Sequence, residues 1–256
     1  MILSLISREP SPGYISMKSI LRAVRDCLYP PFCYFCGTYC GGEKENEICS
    51  DCLSQIQYIQ APLCERCGKP FAHEFATEYF CGDCLNNEPY FCRARAVGMY
   101  SGVLRMAVHL FKYQFKNFLG RPLGTLMARR MESVLGSGAY HTVMPVPLHP
   151  KRLRSRGFNQ ALSLARFVSN YYAVPLDRYN LVRSRWTNSQ VGLSEGKRKA
   201  NVRGAFALLK GIDVKRKDIL LVDDVYTSGS TVDECSKVLM QGGAHSVQIL
   251  TLARAS

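Results

Sequence analysis

The sequence predicts an α/β domain, with a parallel sheet flanked by helices, that follows a small cysteine-rich domain. Three observations lead to this prediction. Eleven of the twelve cysteines precede residue 93. In the remainder of the chain, apolar runs typical of buried strands alternate with segments of helical periodicity. One of these runs, ILLV at residues 219–222, leads directly into two acids and a turn of small hydroxylated residues.

A chain of 256 residues is long enough for more than one domain. We expect an N-terminal extension with an amphipathic helix at residues 1–30, the cysteine-rich domain at 31–92 and the α/β domain at 93–256. The chain offers two start positions, Met1 and Met17, and the second begins the helical pattern. The sequence contains no run of about 18 apolar residues and no signal-peptide pattern, so we predict a cytoplasmic protein without a membrane span.

Four C-x2-C pairs lie in the cysteine-rich domain, with twelve or thirteen residues between the two pairs of each half. This spacing is typical of zinc ribbons, in which two such turns complete one tetrahedron of thiolates. An all-thiolate shell leaves no open position on the metal, which favours a structural role. The predicted ligands of two zinc sites are Cys33, Cys36, Cys49, Cys52, Cys64, Cys67, Cys81 and Cys84.

The spacing of the cysteines leaves four alternatives open. One zinc ion could be bound while some pairs stay idle, and the pairs could also be interleaved. Cys40 could replace Cys33 or Cys36 as a ligand. An iron–sulfur cluster takes the same ligands, although this spacing favours it less.

Periodicity predicts the order of elements in the α/β domain, because apolar residues recur every second position in half-buried strands and every three or four in helices. The Gly242-Gly243 pair marks the end of the last helix. The predicted elements are a strand at 95–100, helices at 102–111 and 123–135, a strand at 142–146, a helix at 160–172, a strand at 219–222, a helix through 232–239 and a strand at 246–252.

The charge of the chain is unevenly distributed. The formal net charge is +13, and residues 151–217 alone carry 16 basic and 3 acidic residues. Such a basic stretch predicts a polyanionic partner, either a ligand that carries pyrophosphate, a nucleic acid or both. The alternative is a solvated basic face without a specific partner.

The strand at 219–222 and the residues after it predict a phosphate site. Backbone N–H groups of a tight turn, together with the start of a helix, can surround an anion. The acids Asp223 and Asp224, at the end of the strand, can hold vicinal hydroxyls or a magnesium ion through its waters. An ordinary strand–turn–helix is the plain alternative, and a Walker B strand would require a GxxxxGK[ST] loop, which the sequence lacks.

The stretch ILLVDDVYTSGST resembles the thirteen-residue signature of type I phosphoribosyltransferases, which bind phosphoribosyl pyrophosphate. The resemblance implies a type I phosphoribosyltransferase-like fold. It assigns Asp223 and Asp224 to the ribose as catalytic residues, and it assigns the 5-phosphate to Thr227, Ser228, Gly229, Ser230 and Thr231.

Further substrate-binding residues are predicted from two basic segments. In a type I phosphoribosyltransferase, the loop after the first core strand contacts pyrophosphate, and the resemblance implies that this loop includes Lys151, Arg152, Arg156, Gly157 and Asn159. The segment 182–206 has many hydrogen-bond donors and few large apolar residues, which is typical of a lid over a ligand. With a lysine of the KYQFK segment, the predicted residues are Lys112, Arg152, Arg156, Gly157, Asn159, Arg183 and Arg198.

The order of these motifs is similar to that of the ComF family: C-x2-C ribbons, FKY, PVPLHPKRLRSRGFNQA, R-x3-T-x2-Q with N-x2-GAF, and the Asp-Asp signature. The resemblance covers the chain from about residue 20 to its end. It implies a double zinc ribbon on a phosphoribosyltransferase fold and a role in natural transformation, where the protein would help incoming single-stranded DNA. A ComFA-like helicase and recombination proteins are the implied partners.

Three hypotheses remain open from the sequence. The protein binds phosphoribosyl pyrophosphate in DNA uptake and transfers its sugar to an unknown acceptor; or it is a nucleic-acid-binding module without turnover; or it is a nucleotide-salvage enzyme. No residue identifies itself as a general base, and no acceptor pocket can be read from the sequence. Whether the protein is an enzyme is therefore left undecided.

Overall fold

The computed structural model describes residues 32–40, 48–71, 80–113, 117–135, 139–187, 194–209, 211 and 213–255, with the single positions 17, 20, 24 and 27. The chain divides into two compact units, residues 1–49 and 50–256. The predicted domain boundaries, after residues 30 and 92, stay a prediction. Among the described residues, no helix combines the length and the apolar character needed to cross a membrane.

In the first unit, the described residues form a tight turn closed by an antiparallel bridge between Phe32 and Tyr39. The N–H of Cys33 donates to the carbonyl of Thr38 at 2.8 Å, and the N–H of Gly37 donates to the carbonyl of Cys33 at 2.9 Å. Gly37 has a φ of 73°. A left-handed residue here lets the chain turn back within four residues, so glycine follows the cysteine pair.

The second unit contains every helix and strand of the α/β domain. In chain order, the elements are α1 Ser50–Ser54, α2 Gly82–Asn86, β1 Arg93–Met99, α3 Gly102–Tyr113, a 3-10 turn Asn117–Leu119, α4 Gly120–Leu135, β2 Thr142–Pro145, α5 Pro150–Arg156, α6 Gln160–Tyr172, β3 Leu181–Arg183, α7 Glu195–Val202, β4 Phe206–Leu208, β5 Asp218–Tyr226, α8 Ser230–Gln241 and β6 Ser246–Arg254.

Four parallel strands form the main sheet in the order β1-β6-β5-β2, and β3 pairs with β4 as a separate antiparallel ribbon. Strand β5 lies between β6 and β2, and its residues 219–222 are fully buried. A strand buried on both faces needs the continuous apolar run that the sequence shows. The carboxyl end of β5 therefore emerges in the middle of the sheet edge, which is where α/β folds bind ligands.

The predicted fold class, a parallel sheet flanked by helices and preceded by cysteine-rich ribbons, is confirmed. One local prediction was wrong: the basic residues after β2 form helix α5 instead of a loop. The His149 side chain accepts a hydrogen bond from the N–H of Lys151, Pro150 stands at the first turn, and Gly157 ends the helix with a φ of 75°. These are ordinary helix start and stop signals, compressed into one short segment.

The segment 182–206, predicted as a lid, also contains regular structure. Its described residues include part of β3, helix α7 and the start of β4. The antiparallel pairing of β3 with β4 anchors both ends of the segment. Residues 188–193 lie outside the described part of the chain.

Helices α4 and α6 approach closely at Gly124, and this contact gives a test of the packing. A Cβ added at Gly124 would lie 2.6 Å from the Cβ of Phe167. We expect Gly124→Ala to lower the free energy of unfolding by about 1–3 kcal/mol, because the helices must separate or shift. Denaturant unfolding measures this change. Gly196→Ala in α7 is the control, since no atom lies within 4 Å of its added Cβ. An equal loss in both variants would contradict the close approach.

Candidate functional site

A cavity of about 500 Å³ opens at the carboxyl end of β5. It collects residues from β5, from the loop after it and from the basic helices α5 and α7. Most of the predicted site residues line it: Lys112, Arg152, Arg156, Asn159, Arg183, Arg198, Asp223, Asp224, Thr227, Gly229 and Thr231. The fold thus brings residues up to 119 positions apart in the sequence to the lining of one cavity.

Asp223 and Asp224, at the end of β5, line this cavity, and Lys112 forms an ion pair with Asp224. Lys112 Nζ lies 2.9 Å from Asp224 Oδ1, and both side chains are mostly buried. The N–H of Asp224 donates to Asp223 Oδ1 at 2.9 Å. Burial, and then the like charge of Asp224, raises the pKa of Asp223 to about 7. Asp223 therefore needs a further cation, or hydroxyl donors, to hold its charge.

The loop between β5 and α8 provides the anion-binding geometry. Gly229 has a φ of 76° and precedes the first turn of α8, a helix of 12 residues. Thr227, Gly229 and Thr231 line the cavity. A left-handed glycine before a helix start directs successive N–H groups and the positive end of the helix dipole toward one point.

Two of the predicted loop residues face elsewhere. The hydroxyl oxygens of Ser228 and Ser230 lie 2.9 Å apart. Both residues line a second cavity, of about 620 Å³, which shares Thr227 and Gly229 with the first. The loop is therefore accessible from two cavities.

Two arginines, Arg183 and Arg198, line the cavity, and each has one hydrogen-bond donor without a partner among the described residues. Arg183 is 7% exposed, donates to the hydroxyl of Thr187 and stacks on Phe206 with its Cζ 5.1 Å from the ring centre. Burial, followed by the charge of nearby Arg152, lowers the pKa of Arg183. The buried Nε atoms of Arg183 and Arg198 have no hydrogen-bond partner among the described residues. Both residues line the cavity, where their guanidinium groups add positive charge that favours an anion.

Two predicted residues have structural roles. Asn159 has one in addition to lining the cavity, whereas Gly157 does not line the cavity. Asn159 caps α6, accepting from the N–H of Leu162 at 3.4 Å, and its Nδ2 donates to the carbonyl of Val146 at 3.1 Å. Gly157 is absent from the lining and ends α5. Sequence reasoning missed Gln160, which is buried beside the cavity and donates to the carbonyl of Phe111. No local pattern distinguishes it from an ordinary helix residue.

The second set of cysteines has the geometry of a zinc ribbon. All four side chains, Cys64, Cys67, Cys81 and Cys84, are buried, and their sulfur atoms lie within 4.8 Å of one another. Zn–S bonds of about 2.3 Å in a tetrahedron place sulfur atoms about 3.8 Å apart. The Sγ atoms of Cys67 and Cys81 are 3.6 Å apart, and the N–H of Cys81 points to Cys64 Sγ at 3.3 Å. These residues fit zinc, and the pairs are not interleaved.

The first set repeats this pattern 31 residues earlier in the chain. The sulfur atoms of Cys33, Cys36 and Cys49 lie within 4.8 Å of one another. Those of Cys36 and Cys49 are 3.6 Å apart, and the N–H of Cys49 points to Cys33 Sγ at 3.4 Å. Cys52, the fourth predicted ligand, follows three residues after Cys49 in α1. The thiol of Cys40 instead donates to the carbonyl of Thr38.

Metal analysis tests the number of zinc ions. We expect two zinc atoms per chain by plasma mass spectrometry, and one in the double variant Cys81→Ser/Cys84→Ser, because two remaining thiolates cannot complete a tetrahedron. Cys92→Ser is the control and should retain two, since Cys92 is exposed and belongs to neither set. A single zinc in the unmodified protein would support the alternative in which one set stays idle.

Comparison with known proteins identifies relatives over most of the chain. A family model described as "Double zinc ribbon domain" matches residues 24–85, which include all eight predicted ligands. Competence protein F of Haemophilus influenzae is 33% identical over 218 residues, 82% of this chain and 92% of that protein. The DNA utilization protein YhgH of Escherichia coli K12 is 33% identical, with coverage of 81% and 90%.

Solved structures with some likeness include glutamine phosphoribosylpyrophosphate amidotransferase of B. subtilis, at 20% identity over 55% of this chain and 26% of that chain, with a TM-score of 0.35. A hypoxanthine phosphoribosyltransferase of Trypanosoma cruzi has 14% identity, coverage of 54% and 65%, and a TM-score of 0.33. Likeness at this level carries no argument about function. Competence protein ComFC of Streptococcus pneumoniae, 28% identical over 81% of this chain and 87% of that protein, adds a third relative in sequence. The chain belongs to the ComF family of competence proteins.

Proposed function

We propose that the protein binds phosphoribosyl pyrophosphate with magnesium in the cavity at the end of β5, and that it does so in the cytosolic handling of incoming single-stranded DNA. The observation that supports this most is that one cavity joins an acid pair, a loop at a helix start and two arginines, Arg183 and Arg198, each with a buried Nε that has no partner among the described residues. The names of the relatives, which refer to competence and DNA utilization, support the setting. The helicase and recombination partners stay a prediction.

In this proposal each group of side chains holds one part of the ligand. Asp223 and Asp224 accept from the ribose hydroxyls, and the N–H groups after Gly229 donate to the 5-phosphate. Lys112 forms an ion pair with Asp224, with its Nζ 2.9 Å from Asp224 Oδ1. Arg183 and Arg198 donate to the pyrophosphate. Magnesium, bound by the acid pair through its waters, would supply further positive charge to the pyrophosphate oxygens.

Transfer of the sugar would follow from the same arrangement. An acceptor attacks the anomeric carbon, the bond from that carbon to the pyrophosphate oxygen breaks, and pyrophosphate leaves with the electron pair. Negative charge develops on the leaving oxygen, and Arg183 and Arg198 are placed to stabilise it. A salvage enzyme would release pyrophosphate only when a free nucleobase is supplied, which separates that hypothesis from the others.

Calorimetric titration with phosphoribosyl pyrophosphate and magnesium tests the proposal. We expect binding by the protein, and a loss of about 100-fold or more in affinity for Asp223→Asn/Asp224→Asn, because two hydrogen bonds to charged groups contribute about 1.5–3 kcal/mol each. Asp213→Asn is the control, since Asp213 is exposed and lies outside the cavity lining. Unchanged binding by the double variant would contradict the assignment of the acid pair.

A second candidate, binding of single-stranded nucleic acid, is favoured by the surroundings of Trp186. This indole is 42% exposed. The ring of His149 lies 5.2 Å away, and the charged groups of Lys151 and Arg152 lie 5.8 and 5.6 Å from the indole centre. Arg152 also lines the cavity, so the surface reaches its edge. An exposed aromatic ring among cations can stack a base while its neighbours contact phosphates.

Trp186→Ala tests this surface. We expect single-stranded DNA to bind about 5- to 150-fold more weakly in fluorescence anisotropy, since one stacked base contributes about 1–3 kcal/mol. The loss should be the same at low and high salt, whereas the affinity of the unmodified protein should fall steeply with salt. Tyr171→Ala, which removes an exposed ring whose described ring neighbour is Tyr172, is the control. Equal effects of the two variants would rule out a specific stacking site.

A further inference from the structure

The last residue of β6 is a buried arginine with no carboxylate partner in the described part of the chain. Arg254 is 8% exposed. Its Nη1 donates to the carbonyl of Cys67 at 2.7 Å, and its Nη2 lies 3.7 Å from Cys67 Sγ. Among the described residues, no carboxylate forms an ion pair with Arg254. Burial of a cation is costly unless a nearby negative charge compensates it.

The second zinc site provides that negative charge. Four thiolates around one zinc ion carry a formal charge of −2. The Nη2 of Arg254 is directed at one of these sulfur atoms, and its Nη1 is bound to the backbone of the same cysteine. Zinc holds the turn that contains Cys67 to the second pair of ligands, so loss of the metal frees the residue to which both terminal nitrogens of Arg254 are directed. The position of this side chain is thus linked to zinc occupancy.

The other face of Arg254 contacts Tyr226, which packs against the phosphate loop, the turn of residues 227–229 between β5 and α8. Its Cζ lies 4.4 Å from the centre of the Tyr226 ring, and the two residues are register partners in β5 and β6. The Tyr226 hydroxyl lies directly against Gly229, where an added Cβ would overlap it. Gly229 is the left-handed residue that precedes α8 and lines the cavity. A continuous path of contacts therefore runs from Cys67 through Arg254 and Tyr226 to Gly229.

The second cavity borders this path. It is lined by Cys67 and Cys84 of the zinc site, by Arg254 and by the loop residues from Thr227 to Ser230. A shift of Arg254 would therefore be felt by Tyr226 and the loop before other elements.

We propose that Arg254 is a positioning residue that couples the second zinc site to the phosphate loop, so that zinc occupancy regulates the affinity of the cavity for phosphoribosyl pyrophosphate. This inference rests on the proposed function. Because such a coupling is reciprocal, the ligand must in turn strengthen zinc binding at the second ribbon by the same factor.

The first test is Arg254→Met, which keeps the length of the side chain and removes its charge and donors. We expect zinc-loaded Arg254→Met to bind phosphoribosyl pyrophosphate with magnesium about 5- to 150-fold more weakly, the usual range of coupling between two sites. Arg254→Lys should lie between the two, because it keeps the charge but loses the planar fork. Arg95→Met is the matched control.

The control removes an arginine that also holds the second ribbon but does not reach the loop. Arg95 donates to the carbonyls of Cys64 and Glu65 at 3.3 and 2.9 Å. It lines neither the cavity at the end of β5 nor the one behind the loop. Its loss should leave the affinity for the ligand unchanged. Equal weakening in Arg95→Met and Arg254→Met would overturn the proposal, since general loosening of the ribbon would explain both.

The second test uses the unmodified protein and does not depend on whether a variant folds. Zinc release to a chromogenic chelator is followed with magnesium alone and with magnesium plus phosphoribosyl pyrophosphate. We expect the ligand to slow the release of one of the two zinc ions by a factor in the same 5- to 150-fold range. Unchanged release of both zinc ions, in protein that calorimetry shows to bind the ligand, overturns the coupling and leaves the proposed function intact. No calorimetric binding overturns the proposed function, and the coupling with it.

Discussion

The end of strand β5 imposes the constraint on which the rest of the site depends: two adjacent carboxylates emerge from a strand that is buried on both faces. Asp224 is 7% exposed. The burial of Asp223, together with the negative charge of Asp224, raises the pKa of Asp223 to about 7. Residues 219–222 of the strand itself cannot supply the compensating charge, because they are apolar. Cations must therefore come from other elements. Lys112 from α3 pairs with Asp224, and Arg183 reaches the same cavity from β3. Lys112 and Arg183 thus supply positive charge that compensates the two carboxylates.

How much of this could be predicted from the sequence depends on whether a feature is local. The strand, the acids and the turn after them lie within thirteen consecutive residues, and both halves of each cysteine pair are three residues apart, so short patterns were sufficient. The fold class followed from periodicity. Helix α5 was missed because its capping signals lie in a segment that the resemblance to type I phosphoribosyltransferases assigned to a loop. Gln160 and Arg254 were missed for a different reason. Their roles are created by contacts with Phe111 and Cys67, which are 49 and 187 residues away in the chain.

The two cysteine sets show how far a local pattern can determine structure. Cys33 and Cys64 each receive a sulfur-directed N–H from the first cysteine of the following pair, Cys49 or Cys81. Each of their carbonyls accepts from a left-handed glycine four residues later, at 2.9 Å in both cases. The same hydrogen bonds recur at an offset of 31 or 32 residues, which indicates that the turn geometry is encoded by C-x2-C-G itself. What differs is the environment. The second set contacts Arg254 and lies beside the phosphate loop. These contacts are the basis of the proposed coupling between the second zinc site and the loop.

The unused donors of Arg183 and Arg198 indicate what kind of ligand this cavity is arranged to take. A buried N–H without a partner costs about 1–3 kcal/mol. Both atoms belong to arginines that line one cavity, and Arg183 already has Phe206 on one side and Thr187 on the other. A neutral ligand would leave the positive charge of the two guanidinium groups uncompensated, and a single carboxylate would meet one guanidinium at most in a planar fork. A ligand with several anionic oxygens can satisfy both arginines and still reach the N–H groups at the start of α8. In the proposed complex the ribose hydroxyls contact the acid pair, which would repel a purely anionic ligand. A sugar that carries phosphate at both ends meets all of these requirements.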